Sequence, residues 1–285
     1  MADPTVLTTC AEMEALARSW ARDGLTHAVV PTMGALHDGH VALIREAAKR
    51  ADRVVVTIFV NPTQFDRAAD LESYPRDLGA DLTRCAEEPV DAVFAPTVDE
   101  VYPDGPTTTV DPGPIAERLE GAHRPGHFDG VATVVARLLE IVAPTVALFG
   151  EKDAQQLAVI RSVCASLDLG VEIVGMPTVR EADGLALSSR NTRLDPAARQ
   201  AAAAIPRALR AVQREWSSGC ADSSRLSAIG RRLIEESGGA CDYLEVVDPE
   251  TFAASDPARE GDLVVTAAWF GGVRLLDALN LIAKR

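Results

Sequence analysis

Residues 26–60 read THAVVPTMGALHDGHVALIREAAKRADRVVVTIFV, and this stretch decides the fold. Thr26 to Thr32 is a short apolar, β-branched run ending in Pro-Thr-Met-Gly, which predicts a strand entering a turn. From Gly39 to Arg50, Val41, Ile44, Ala47 and Ala48 recur at helical spacing. Val54 to Val60 is continuously apolar, as strands are when helices cover both faces of a parallel sheet. Strand, glycine turn, helix and strand make one βαβ unit.

Outward from this unit the pattern repeats. Helical spacing over Asp77 to Cys85, Gly130 to Val142 and Asp153 to Ser166 alternates with short strands at Asp91 to Phe94, Thr145 to Phe149 and Val171 to Val174. Such alternation predicts an α/β, doubly wound parallel sheet whose post-strand loops lie along one edge. After about Asn191 the character changes to Ala- and Arg-rich helices, Pro196 to Trp216 and Ser224 to Glu236. Strands at Tyr243 to Val247, Leu263 to Ala268 and Val273 to Leu276 follow, which predicts a second, smaller α+β domain. We therefore expect two domains, residues 1–180 and 181–285, in a chain long enough to bury two cores.

Composition narrows the partners. Lys and Arg total 28 against 42 Asp and Glu, giving −14, a field that opposes nucleic acid and anionic membrane surfaces. A phosphate site must therefore be built locally. Five scattered cysteines without a Cys-x-x-Cys pair fit a reducing cytoplasm. Residues 1–20 hold no apolar signal core, and no run reaches the ~18 apolar residues of a membrane span. The expectation is a cytoplasmic chain with neither nucleic acid nor membrane as partner.

Six segments carry candidate chemistry. Pro31 to His40 lies between a strand and a helix, where free N–H groups and the positive helix end can hold phosphate. His37 and His40 are one turn apart, and Gly34 and Gly39 permit close backbone approach. A polar helix cap is the plain alternative for His-x-x-His alone, but the place after a strand favours the anion site. Asn61 and Gln64, in Phe59 to Phe65, can donate and accept to a hydroxy acid at the same sheet edge. Asp77 and Asp81 are four apart on a helix, and a carboxylate there could serve Mg²⁺ carried by ATP, although most such pairs are solvated. Leu119 to Phe128 sets His123, Arg124 and His127 in a Gly-Pro loop. Phe149 to Gln156 places Lys152 at a strand end, with Gln155 and Gln156 opening a helix. Val179 to Asn191 carries Ser188, Ser189 and Arg190, suited to a loop that closes over phosphates.

Taken together, in this order from about residue 31 to 191, the six segments resemble pantothenate synthetase, the pantoate–β-alanine ligase of the HIGH-type nucleotidyltransferase superfamily. The first alone would suggest only that superfamily. The resemblance implies a Rossmann-like N-terminal domain, a smaller C-terminal lid and a homodimer. It implies that Met33 to His40, Gly150, Lys152, Asp153, Val179 and Leu187 to Arg190 bind ATP, with His40 as the active-site proton donor. Gln64 and Gln156 would bind pantoate, Gln64 also near β-alanine, and Asp81 would match a carboxylate associated with Mg²⁺. Two residues depart from the family pattern: Leu187 stands where methionine is usual, and Arg84 where a polar metal-shell residue can occur.

The expected reaction is an ATP-dependent ligation. Pantoate carboxylate attacks the α-phosphate, pyrophosphate leaves, and β-alanine displaces AMP from pantoyl adenylate. His37, His40, Lys152, Arg190 and Mg²⁺ are expected to offset the repulsion of the two anions, and Asn61, Gln64, Gln156, Arg124 and His127 to serve the acid and amine. A nucleotidylyltransferase, which would keep AMP on its product, and a non-catalytic ATP-binding module are the other classes open at this point.

Overall fold

The computed structural model of the chain describes residues 3–66, 71–72 and 74–282. Its main sheet holds β1 (Thr5–Leu7), β2 (His27–Thr32), β3 (Arg53–Ile58), β4 (Ala92–Phe94), β5 (Val146–Gly150) and β6 (Glu172–Met176). All adjacent pairs are parallel, in the order β1-β4-β3-β2-β5-β6. The chain builds outward from β2 through β3 to β4, then returns to lay β5 on the other side of β2. That reversal is the topological switch point of a doubly wound sheet.

Helices α1 (Cys10–Arg22), α2 (Asp38–Arg50), α3 (Leu78–Ala86), α4 (His127–Val142) and α5 (Ala154–Ser166) cover the sheet. Strand residues alternate between two cores because successive side chains point to opposite faces. Val29, Val55, Ala92 and Ala147 pack with α1, α4 and α5. Ala28, Val30, Val54, Val56 and Leu148 pack with α2 and α3. Burial on both faces is why these strands read as unbroken apolar runs rather than as alternation.

The C-terminal part contains α6 (Pro196–Ala202), α7 (Ala204–Ser217) and α8 (Ser223–Glu236), then an antiparallel sheet of β7 (Ala240–Val247), β8 (Leu263–Phe270) and β9 (Val273–Asn280). One face of this sheet sets Leu244, Val264 and Leu275 against Ile205 and Leu226 of the helices. The other face sets Tyr243, Val265 and Ala278 against Ala158 of α5, with Ile115 and Leu119 alongside. The small sheet thus lies between its own helices and the parallel-sheet layer.

Two elements escaped the periodicity. β1 and α1 precede the first anticipated strand, although Thr9 and Glu12 form a capping box that marks the helix start. The expected single helix from Pro196 to Trp216 is two helices, divided at Ala203. Pro206 explains the break, since it cannot donate to the carbonyl of Ala202 and its ring crowds that carbonyl.

Helix α4 also sets the position of the turn Pro62–Gln64. A Cβ at Gly130 would lie 2.4 Å from the carbonyl oxygen of Thr63 and 2.7 Å from the Gln64 nitrogen. Only glycine lets helix and turn approach this closely. Gly130→Ala is therefore expected to lower the unfolding free energy by about 1–3 kcal/mol in urea titrations; an unchanged midpoint would show that helix and turn separate freely.

Candidate active site

The ends of β2, β3, β5 and β6 surround a cleft of about 310 Å³, closed on another side by Val265, Thr266, Leu276 and Asp277 of β8 and β9. Its opening follows from the strand pairing. β2 pairs with β3 along all six residues, but with β5 only at Ala28 and Val29, so the two central strands part before their C-terminal ends. Of the anticipated residues, Met33, His37, Gly39, His40, Gln64, Arg124, His127, Gly150, Lys152, Asp153, Gln156, Val179, Leu187, Ser188, Ser189 and Arg190 line the cleft. Gly34, Asn61 and Asp81 stand behind its wall.

His37 and His40 begin α2 as a reciprocal cap. Gly39 N–H donates to His37 Nδ1 at 3.1 Å, and His37 N–H donates to His40 Nδ1 at 3.1 Å. Both Nδ1 atoms are acceptors, so each neutral ring carries its proton on Nε2 and keeps that donor for a ligand. Burial, then the Lys152 ammonium, lowers His37 to about 4. Burial, then His37 and Lys152, lowers His40 to about 3. The two histidines, expected to offset anion repulsion, are therefore neutral hydrogen-bond donors rather than cations. The plain reading of His-x-x-His as a helix cap is met through the two Nδ1 atoms, which leaves the two Nε2–H groups outside the cap.

Positive charge comes instead from Lys152 and Arg190. Lys152 lies on the turn after β5, 3.5 Å from Asp153, and is largely buried. Burial acts to raise the Asp153 carboxyl, but Lys152 and then Arg190 draw it below its ordinary value. Arg190 follows a stapled hairpin rather than a loose loop. Leu187 N–H donates to the Val179 carbonyl at 2.9 Å, Arg180 bridges Ala186, and Asn191 donates to Glu181 at 2.7 Å. The Arg190 guanidinium makes no hydrogen bond or ion pair among the described residues, whereas its N–H donates to Ser188 Oγ at 3.2 Å.

Across the cleft, Gln64 Nε2 lies 3.1 Å from Met33 Sδ, and its Oε1 accepts from Asn61 Nδ2 at 3.2 Å. Asn61 also donates to the Gly130 carbonyl and accepts from Thr63 and Tyr102. At 1% exposure it holds Gln64 rather than touching a substrate, which corrects its place in the expected substrate set. Arg124 Nη2 and His127 Nδ1 both donate to the Gln64 carbonyl, at 3.1 and 2.7 Å. Both helix-opening glutamines line the cleft, but Gln155 is committed to Glu120, Ile115 and Arg118, whereas Gln156 makes no hydrogen bond among the described residues.

The chain matches the sequence profile described as Pantoate-beta-alanine ligase over residues 5–280. The chain belongs to the pantoate-β-alanine ligase family. It is 49% identical to the pantothenate synthetase of Myxococcus xanthus (strain DK1622), covering 98% of this chain and 96% of that one. A crystal structure of pantothenate synthetase from Thermus thermophilus superposes with a TM-score of 0.90 at 42% identity, covering 98% of this chain and 99% of that one. A Francisella tularensis pantoate-beta-alanine ligase, solved in complex with beta-gamma ATP and beta-alanine, superposes at 0.82 with 32% identity and 98% coverage of each. Family membership makes the chain an enzyme, a ligase that forms pantothenate, with an α/β fold of the pantothenate synthetase type.

The pantoate-β-alanine ligase fold here gives Asp81 a different task from the expected one. Its Oδ2 accepts the Ala35 N–H at 3.0 Å and its Oδ1 accepts the Leu36 N–H at 2.8 Å, at 5% exposure. Gly34, at φ 81°, passes so close that a Cβ would lie 2.7 Å from Oδ2. Asp81 therefore fixes the turn that aims the His-x-x-His cap. Among the described residues no group of three metal-ligating side chains exists, and Arg84 on α3 forms an ion pair with Asp38 in the first turn of α2. This donor set does not fit a resident Mg²⁺.

Several cleft residues of this ligase went unread in the sequence. Tyr74 lines the cleft together with Ser189, and burial raises its phenol. Phe59, Val131, Val134 and Phe149 form an apolar wall that reads in sequence as ordinary core. Asp277 receives both terminal nitrogens of Arg180, at 2.7 and 2.9 Å, yet burial keeps its carboxyl above the ordinary value. Strand periodicity alone could not have singled it out.

The neutral state of the two histidines ties stability to pH. An unfolded histidine binds its proton near pH 6.5, so folded His37 and His40 bind fewer protons than the unfolded chain below that pH. Stability must then fall as pH drops from about 6.5 toward 4, and their ring resonances in NMR should not titrate above pH 5, whereas titration near neutrality would refute the neutral assignment. Asp81→Asn presents an N–H₂ to one of two backbone donors, and is expected to cost about 1–3 kcal/mol in thermal or urea unfolding; a variant of undiminished stability would exclude the clamp.

Proposed function

We propose that the cleft joins pantoate to β-alanine through a pantoyl-adenylate intermediate, releasing pyrophosphate and then AMP. The observation that carries this reading is the meeting, across the switch point, of two Nε2–H donors, the Lys152 ammonium and the uncommitted Arg190 guanidinium, beside Gln64, Gln156 and an apolar wall. The first group suits a triphosphate and the second a small hydroxy acid with a hydrocarbon body.

In this reading Met33 to His40, Gly150 to Asp153, Val179 and Leu187 to Arg190 hold ATP at the helix α2 N-terminus and the β5 turn. ATP arrives as its Mg²⁺ complex, with the ion on the phosphates rather than on a cluster of the chain. Gln64 and Gln156 bind pantoate, and Arg124 and His127 hold the main chain of Gln64 while lining the amine side. A pantoate carboxylate oxygen attacks the α-phosphorus as its bond to the pyrophosphate oxygen breaks. Lys152, Arg190 and the Nε2–H groups of His37 and His40 stabilise charge that shifts onto the phosphate oxygens. The β-alanine nitrogen then attacks the acyl carbon, the bond to the AMP oxygen breaks, and the nitrogen loses its extra proton. Water is kept from the adenylate by the wall of Phe59, Val131, Val134 and Phe149.

The reading takes residues 1–180 as the substrate-binding domain and 181–285 as a lid, in a cytoplasmic homodimer. Five cysteines without disulfides support a reducing compartment. No helix among the described residues is long and apolar enough to cross a membrane.

Phosphorus NMR with each substrate omitted in turn tests the chemistry. Free AMP is expected only when pantoate and β-alanine are both present, and AMP kept on the product would indicate nucleotidylyl transfer instead. Lys152→Ala and His40→Ala should each lower turnover by roughly 10²-fold or more; near-normal rates in either would overturn the site.

A further inference from the structure

We propose that Arg274 and Glu120 are positioning residues for the acid-binding glutamine, relaying the placement of the C-terminal sheet to Gln64. Glu120 is 5% exposed and receives Arg274 Nη1 at both oxygens, at 2.7 and 2.6 Å. The same carboxylate accepts from Arg124 Nη1 at 3.5 Å and from the Tyr243 hydroxyl at 3.3 Å. Arg124 carries the connection onward, donating to the Gln64 carbonyl at 3.1 Å and to His127 Nε2 at 3.2 Å. His127 Nδ1–H donates to that same carbonyl at 2.7 Å. A continuous run of mostly charge-assisted hydrogen bonds thus joins β9 to the main chain beneath Gln64.

Both ends of the relay are held rigid. Asp242 of β7 receives Arg274 Nε at 2.7 Å and Trp269 Nε1 at 3.0 Å, so the guanidinium is fixed from the sheet side. Leu119, immediately before Glu120, has φ 45°, a backbone conformation that a leucine adopts only when its surroundings impose it. Arg124 Nε is held in turn by Asp66 at 3.0 Å. A buried carboxylate between two guanidiniums is a weak source of stability, because desolvation opposes the attraction. Fixed geometry is the better account of it: the bonds define the distance between the small sheet and the Gln64 turn.

This inference rests on the reading of Gln64 as an acid-binding residue. The test uses Arg274→Met and Glu120→Gln in the full chain, with kcat, the KM for pantoate, β-alanine and ATP, and a melting curve for each. Misplacing Gln64 should raise the pantoate KM about tenfold or more while the ATP KM stays within about twofold. Arg274→Lys should recover part of the loss, and the double variant should be no worse than the poorer single one, as expected for residues acting as one unit. An unchanged pantoate KM in a folded variant, or equal shifts for all three substrates, would overturn the proposal. Loss of folding in both single variants would assign the pair to stability and overturn it too. Failure of the parent reading is separately visible, since Gln64→Ala would then leave the pantoate KM unchanged, which would overturn both.

Discussion

The site depends on how β2 is paired. Its full register with β3 and its short register with β5 hold the central strands together at their N-terminal halves and let them part beyond Val29. Parallel strands must all end on the same edge, so each post-strand turn arrives at the same gap. The His-x-x-His cap comes from β2, the Gln64 turn from β3, and Lys152 from β5.

Within that space permanent charges of both signs, on Arg124, Lys152, Arg190, Glu120, Asp153 and Asp277, stand beside neutral donors. The two histidines satisfy the α2 N-terminus through Nδ1 and remain neutral, which leaves Nε2–H donors in a setting too buried to favour imidazolium. Lys152 and Arg190 then supply the cations, from separate elements on either side. A cleft in which Lys152 and Arg190 stand beside two fixed neutral donors can receive a polyanion without strong self-repulsion. It does so in a chain of net charge −14, where the local groups must act against the global field.

Behind the lining, a second layer of hydrogen bonds sets the angles. Asp81 holds the turn after β2, Asn61 holds Gln64 from below, and Arg124 with His127 holds its carbonyl from the side. The C-terminal sheet reaches the same layer through Arg274 and Glu120, and reaches the hairpin that carries Arg190 through Asp277 and Arg180. Both contacts start from β9, so a single strand touches the two halves of the cleft.

The alternation of strands and helices, the parallel sheet and most of the cleft lining were legible in the order of residues alone. Those features rest on local periodicity and on motifs whose place after a strand predicts their edge. The break of Pro196 to Trp216 at Ala203 was also written there, in Pro206, although the Ala- and Arg-rich periodicity runs across it. Spacing could not separate Gln155 from Gln156, or Asn61 and Asp81 from true lining residues, since neighbouring polar side chains differ only in which partner folding brings to them. The neutrality of His37 and His40 and the joining of Arg274 to Glu120 belong likewise to the folded chain. Burial sets the first and long-range hydrogen bonds the second, and neither can be read from residue spacing along the chain.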